Sequence, residues 1–287
     1  MRKTVSWLIS LVISAIIFLA VMGHILFVEN SEAPDVVILG DSIVGDLIEG
    51  KGINTYLEEK IGRKVLNGGF GGSYATYIPE EAFPASVACQ LSLVRLSEAI
   101  VTDDFLTQKA LIAYGDHYYD VMRQTLDYFE ATVRALDKTD FSKVKYLVIE
   151  HGTNDYNRGV VLENLQDKYD ESTYAGALRS SIERLQKAYP DLQIILMTPT
   201  WCYVTREYGF LNCDETDFGG GILEDFVNLE IEIAAEYDIP VLDNYHQSGI
   251  DKETANTYLR DGLHLSSEGQ KLIAERLAAL MLELEKR

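Results

Sequence analysis

This sequence predicts a three-layer α/β/α sandwich around a five-stranded parallel sheet, on three observations. Five short runs are apolar throughout instead of alternating with polar residues, the pattern of strands buried on both faces. The stretches between them repeat apolar residues at spacings of three and four, the period of helices with one buried face. Strands and helices alternate along the chain, which leads to right-handed crossovers and helices on both sides of the sheet. The 287 residues are enough for one such domain, and they contain no internal repeat or low-complexity stretch.

The N-terminus comes first. Val5 through Val28 contain no Asp, Glu, Lys or Arg, and about 20 apolar residues span a bilayer. Arg2 and Lys3 precede the run, so the positive-inside rule puts the N-terminus in the cytoplasm and everything after Glu29 outside. Residues 1–29 are thus expected to be a transmembrane signal-anchor in the cell membrane, 30–34 a linker, and 35–287 the folded domain. The alternative is a cleaved signal peptide and a secreted protein. Ser31-Glu32-Ala33 has small residues at the right spacing for cleavage, although Pro34 directly after it hinders the cut.

The expected strands are Asp35–Leu39, Lys64–Leu66, Lys145–Glu150, Gln193–Met197 and Ile239–Leu242. Ala175, Leu178, Ile182, Leu185 and Tyr189 form one helical face that Pro190 ends. Phe226, Ile233 and Tyr237 mark another. Ile273, Leu277, Leu280 and Leu284 mark the last, with Ser266 or Ser267 as its N-cap. Between the second and third strands lie about seventy residues, too many for an ordinary crossover. Val87, Leu91 and Val94 suggest one helix there, and Tyr118, Met122, Phe129, Val133 and Leu136 a longer second one. An inserted helical pair over about 78–143 is expected, either as added scaffold or as a cap that shapes a substrate pocket.

Composition removes some functions. Twenty-five basic residues against 45 acidic give a net charge of −20, and the part beyond residue 30 carries about −21. Such a surface repels phosphate backbones, so no nucleic-acid partner is expected. The three cysteines form no CxxC and no His-rich cluster, so no metal site is expected. Cys202 and Cys213 lie in one polar, aromatic loop and can close a short disulfide or remain thiols; Cys89 reads as a small buried apolar residue.

In a parallel sheet, ligands meet the chain just past the C-terminal ends of the strands. Three turns lie there: Gly40-Asp41-Ser42, Asn67 to Gly72, and Gly152-Thr153-Asn154-Asp155. Ser42 in such a turn is a candidate nucleophile. Asp261-Gly262-Leu263-His264 supplies a base, because three-residue spacing on a turn lets the carboxylate hold one imidazole nitrogen while the other faces the serine. The N–H groups of Ser42 and Gly72 and the side-chain amide of Asn154 are candidate oxyanion donors, each worth roughly 3–4 kcal/mol of barrier. Asp243-Asn244-Tyr245-His246 repeats the Asp-x-x-His spacing and is taken as a decoy, since it follows the fifth strand closely without a helix cap behind it. His24 and His117 read as bland, and His151 as a packing residue. Trp201, Tyr203, Tyr208 and Phe210, with Tyr74 and Tyr77, crowd the predicted site; Tyr74, Trp201 and Tyr203 are candidate substrate contacts by stacking, or else ordinary half-buried rings. The nucleophile elbow Gly-x-Ser-x-Gly is absent around Ser42, because Ile43 and Val44 follow it and Gly45 comes one position late.

The four blocks taken together resemble the SGNH-hydrolase (GDSL-esterase) superfamily. They are Gly40-Asp41-Ser42, Asn67-Gly68-Gly69-Phe70-Gly71-Gly72, Gly152-Thr153-Asn154-Asp155 and Asp261-Gly262-Leu263-His264. The resemblance runs from about Asp35 to the final helix, apart from the insertion. It implies a flavodoxin-like fold and ester hydrolysis without cofactor or metal. It makes Ser42 the nucleophile, Gly72 and Asn154 parts of the oxyanion hole, and Asp261 with His264 the rest of the triad. Ile43 stands where a leucine often follows the serine. The expected function is an extracytoplasmic serine esterase acting on a small acyl ester, for example an O-acetyl group on a cell-envelope or extracellular glycan. The alternatives are an O-acyltransferase with the same triad and a non-catalytic glycan-binding protein that retains the fold.

Overall fold

The computed structural model describes residues 33–78, 87–112, 124–206 and 209–286. Its centre is a parallel sheet of five strands: β1 (Val36–Gly40), β2 (Val65–Gly69), β3 (Tyr146–Glu150), β4 (Gln193–Met197) and, after a two-stranded hairpin of β5 (Tyr203–Arg206) and β6 (Gly209–Asn212), β7 (Val241–Leu242). The order across the sheet is β2-β1-β3-β4-β7. Every residue of β1 and β3 is buried, as continuous apolar runs at the middle of a sandwich require. One layer packs helix Ile53–Ile61 against the C-terminal helix Ser267–Leu284. The other packs helix Tyr174–Ala188 against Leu93–Thr102 and Leu223–Glu236.

Register does the work that matters for function. Gly40 pairs with Gly69 on one side and with Glu150 on the other. These three strand ends therefore form one row, and the three turns expected to carry chemistry leave the sheet side by side.

The structure corrects several sequence expectations. Strand β2 runs on through Asn67, Gly68 and Gly69, which had read as turn. Missing side chains explain it: a Cβ on Gly69 would lie 2.3 Å from the Gly45 nitrogen, so glycine lets the short helix Ser42–Gly45 rest directly on the strand. The last strand shortens to Val241–Leu242, because Pro240 has no N–H to give to a ladder. The inserted helical pair is instead four helical segments among the described residues: Val87–Gln90, Leu93–Thr102, Leu106–Ile112 and Leu126–Asp137. Ser92 interrupts the first expected helix by capping a new one, its hydroxyl accepting from Arg95 N–H, and Asp103 ends that helix in a left-handed conformation at φ 52°. Helices Leu93–Thr102 and Leu126–Asp137 pack on Tyr174–Ala188 and on β2, so they cover the sandwich as scaffold. Tyr118 and Met122 lie outside the described residues.

The polar, aromatic loop after β4 is an antiparallel hairpin of β5 and β6. No helix among the described residues is long and apolar enough to cross a membrane, and the expected anchor at 1–29 lies outside them.

Candidate active site

Ser42 opens the short helix Ser42–Gly45 just past β1. Asp41 caps that helix, its carboxylate accepting from Ile43 N–H at 2.8 Å. His264 arrives from the turn before the C-terminal helix, which Ser266 caps through Gly269 N–H at 3.2 Å. His264 Nε2 lies 3.0 Å from Ser42 Oγ, and His264 Nδ1 lies 2.9 Å from Asp261 Oδ2. The other Asp261 oxygen accepts from His264 N–H at 2.8 Å and Leu263 N–H at 3.2 Å. Burial would raise the Asp261 carboxyl, but the His264 N–H, the imidazole and the Leu263 N–H together hold it down at about 2. It is therefore ionised wherever the protein is folded near neutrality, and it fixes a proton on Nδ1 while Nε2 faces the serine.

Contacts that sequence reasoning missed hold the two halves together. Arg260 donates to the Asp46 carboxylate, and Gln270 Nε2 donates to the Asp46 carbonyl at 3.0 Å. Asp46 lies one turn beyond Ser42 and Arg260 directly before Asp261, so these bonds bring the serine helix and the histidine turn into contact. Neighbourhood in sequence to both motifs was the available signal. Gly262 explains a further approach: its φ is 90°, and an added Cβ would sit 2.5 Å from Tyr203 Cε2. Tyr203 N–H also donates to the Gly262 carbonyl at 2.7 Å, so β5 is docked on the histidine turn.

The glycine turn Phe70–Ser73 closes with Ser73 N–H on the Phe70 carbonyl at 3.1 Å, and Gly72 takes φ 71°, as the third residue of a type II turn demands. It is seated against β1 by Phe70 N–H and by Ser73 Oγ, both donating to the Gly40 carbonyl. The N–H groups of Ser42 and Gly72 meet no acceptor among the described residues. Asn154 opens helix Thr153–Arg158 with its neighbour Thr153, and its Nδ2 donates to the Ser73 carbonyl at 2.9 Å and to Asp41 Oδ2 at 3.1 Å. Both amide hydrogens are thus engaged, and stabilising an oxyanion requires the amide to exchange its Asp41 bond. Asp155 ties the same helix to the glycine turn by accepting from Ala75 N–H, Thr76 N–H and Thr76 Oγ1.

Behind this row the interior is acidic. Burial pushes Asp41 up to about 7, against the Ile43 bond and with the Asp155 charge adding to it. Burial also raises Glu150 well above a normal carboxylate, with Asp41 and Glu230 as neighbouring charges, and neither Glu150 oxygen has a hydrogen-bond partner among the described residues. Burial disfavours the ionised form of both carboxyls. His151 is buried, its Nε2 3.4 Å from Ser73 Oγ, and burial lowers it to about 3, so the ring is neutral packing.

Asp243 and His246 reproduce the Asp-x-x-His contact, with Nδ1 at 3.0 Å, but His246 Nε2 points to Glu224 at 3.2 Å and meets no serine. Asp243 does cap a short helix, Asn244–Gln247, contrary to the sequence reading. Of the aromatic candidates, Trp201 is buried with its Nε1 on Asp214 at 2.8 Å. Tyr74 is half-buried, accepts from Arg158 at 3.1 Å and stacks under that guanidinium. Tyr203 is half-buried against exposed Phe210, ring centroids 4.4 Å apart. Tyr208, His24 and His117 lie outside the described residues. Among the described residues, no group of three or more His, Cys, Asp or Glu is arranged to hold a metal ion.

The model of the GDSL-like Lipase/Acylhydrolase family matches residues 108–272, which include Asn154, Asp261 and His264. Solved structures similar to this chain include a protein from Lactobacillus plantarum (18% identity, TM-score 0.58, covering 88% of this chain and 99% of that one). A possible lipase from Chitinophaga pinensis aligns at 19% identity and TM-score 0.55, covering 87% and 98%. A member of the lipolytic G-D-S-L family from Veillonella parvula aligns at 14% identity and TM-score 0.51, covering 86% and 97%. At these identities the likeness is one of fold. A search of curated proteins finds no match.

Proposed function

Because the chain belongs to the GDSL-like lipase/acylhydrolase family and is a serine hydrolase of ester bonds, we propose that Ser42, His264 and Asp261 are its catalytic triad. The carrying observation is the unbroken relay from Asp261 Oδ2 through both imidazole nitrogens to Ser42 Oγ. Ser42 lies outside the segment that the family model matches, so its role rests on that geometry.

Ser42 Oγ attacks the ester carbonyl carbon while His264 Nε2 takes the hydroxyl proton. The tetrahedral oxyanion is met by Ser42 N–H and Gly72 N–H, with the Asn154 amide as third donor once it releases Asp41. Collapse breaks the bond to the alcohol, which leaves with the proton from Nε2. Water then repeats the sequence on the acyl-serine, and Asp261 stabilises the imidazolium at both stages.

The proposed substrate is a small acyl ester on a bulky alcohol, an O-acetyl group on an extracellular or cell-envelope glycan. Support comes from the openness of the site: the His264 and Asp261 side chains are 19% and 29% exposed. Support comes also from the paired rings of Tyr203 and Phe210, which flank the histidine turn and present an aromatic edge on which a sugar can stack. The uncharged run Val5–Val28 supports an extracytoplasmic domain held at the membrane.

A fluorophosphonate probe tests the chemistry: wild type labels, and Ser42→Ala does not. Equal labelling of the two, or none of wild type, overturns the assignment. A series of p-nitrophenyl esters tests the substrate: turnover is expected to fall steeply beyond acetate and propionate, and a preference for long chains overturns the small-acyl reading.

A further inference from the structure

We propose that Cys202 and Cys213 are a disulfide site, closing the base of the β5–β6 hairpin and fixing that hairpin under the Asp261–His264 turn. The two residues stand opposite each other one step beyond the Tyr203–Asn212 pair of the antiparallel ladder. Cys213 N–H donates to the Cys202 carbonyl at 3.1 Å. Residues facing each other across an antiparallel ladder have Cα atoms about 4.5–5.5 Å apart, inside the roughly 4.4–6.8 Å that a disulfide bridges. Cys213 Sγ turns toward the facing residue and accepts from Cys202 N–H at 3.2 Å. Both are buried. Cys89 is elsewhere, with its thiol on the Ile78 carbonyl at 3.4 Å.

Other uses for this pair fail on chemistry. Among the described residues no further ligand completes a metal site around it. The Cys213 contact and burial push the Cys202 thiol well above its usual range, which disables it as a nucleophile. Oxidation remains. Because the folded thiols are shielded, the bond forms while the hairpin is still open, during folding, and is then protected from reduction. The pair gives up two protons and two electrons. A disulfide of the glutathione class accepts them, its own S–S bond breaking to yield two thiols.

The location gives the bond a function. Tyr203, next to Cys202, donates its N–H to the Gly262 carbonyl and lays its ring on Gly262. Asp214, next to Cys213, accepts from Trp201 Nε1 at 2.8 Å and from Tyr245 OH at 2.7 Å. A bridge between the two strands therefore locks the surface on which the histidine turn rests.

The test uses the full-length protein in mild detergent, unfolded with reductant and refolded in glutathione buffers of rising oxidised fraction. Free thiols are blocked with N-ethylmaleimide under denaturing conditions and counted by mass, and linked peptides are mapped. In oxidising buffer one maleimide is expected, on Cys89, with a linked pair from 202 and 213. The bridged form is expected to melt roughly 5–10 °C above the reduced form, from closure of a short loop. A Cys202→Ser/Cys213→Ser variant should show no shift between buffers. Should that variant fold poorly, Cys89→Ser supplies the check and must lose both remaining thiols. Three maleimides at every ratio, or a bridge that engages Cys89, overturns the site. A bridge without any rise in melting temperature overturns its role as a clamp.

Discussion

Replacing Asp261 with asparagine separates the charge and direction of the relay from its shape. The asparagine oxygen can keep the two backbone bonds that Asp261 Oδ1 accepts, from His264 N–H at 2.8 Å and Leu263 N–H at 3.2 Å, so the turn should fold unchanged. The other atom becomes an NH2 group facing His264 Nδ1 across 2.9 Å. Two donors cannot face each other, so the ring shifts its proton to Nε2 and offers Ser42 a donor where a base is needed. Loss of the carboxylate also removes its attraction for the imidazolium, about 4 kcal/mol at roughly 4 Å and an effective dielectric near 20. Since the Asp261 side chain is 29% exposed, solvent screening reduces this to about 2–3 kcal/mol, or roughly 30–150-fold in rate. With the wrong tautomer added, kcat/KM for p-nitrophenyl acetate should fall about 10³–10⁴-fold. The melting temperature should stay within a few degrees of wild type. An Asp261→Asn protein that is folded and within tenfold of wild-type kcat/KM would refute the reasoning, because the carboxylate would then set neither tautomer nor charge.

Other expectations follow from the same geometry. Asn154→Ala should lower kcat by about 10²–10³ with KM little changed, if the amide leaves Asp41 for the oxyanion; a change confined to KM would remove it from that role. Gly262→Ala forces a side chain into φ 90° and onto the Tyr203 ring, so it should cost about 1–3 kcal/mol of stability and reduce activity, seen together by thermal melting and ester turnover. A Tyr203→Ala change should relieve the clash in the double variant, and simple additivity of the two losses would show that the ring is not the obstacle. Burial pushes Glu230 up to about 8 from 4.5, against the Tyr174 bond and with Asp243 adding to it. A carboxyl that keeps its proton longer when folded contributes stability that is complete below about 4.5 and is lost as the pH rises to about 8. Glu230→Gln should accept the same Tyr174 hydroxyl yet escape that loss, so it should melt roughly 10 °C above wild type at pH 8 and level with it at pH 4.5. Parallel melting curves across that range would show that Glu230 does not titrate as described.

Much of this protein can be read locally. Uniform apolar runs mark strands buried on both faces, and all five central strands lie within a few residues of where their hydrophobic runs put them. The Asp-x-x-His turn was equally legible, because a three-residue spacing brings carboxylate to imidazole whatever lies elsewhere. That locality is also its weakness. Asp243 and His246 make the same contact, and only the third dimension shows that one imidazole faces Ser42 and the other faces Glu224. The helical segments after β2 were misjudged for a related reason: a cap at Ser92 and a left-handed residue at Asp103 interrupt a continuous apolar pattern without altering it.

The amino-acid order by itself determined the fold class, the residue types of the relay and the spacing within each turn, since these depend on neighbours in the chain. Tertiary structure alone decided which turns meet. The pairing of Gly40 with Gly69 and Glu150 aligns the strand ends, and Arg260 and Gln270 on Asp46 join segments more than two hundred residues apart. It also decided that Asn154 is held by Asp41 and Ser73, and that Cys202 faces Cys213. Register and close approach are properties of the packed chain, set by which side chains are absent as much as by which are present, and no one-dimensional pattern encodes the distances they produce.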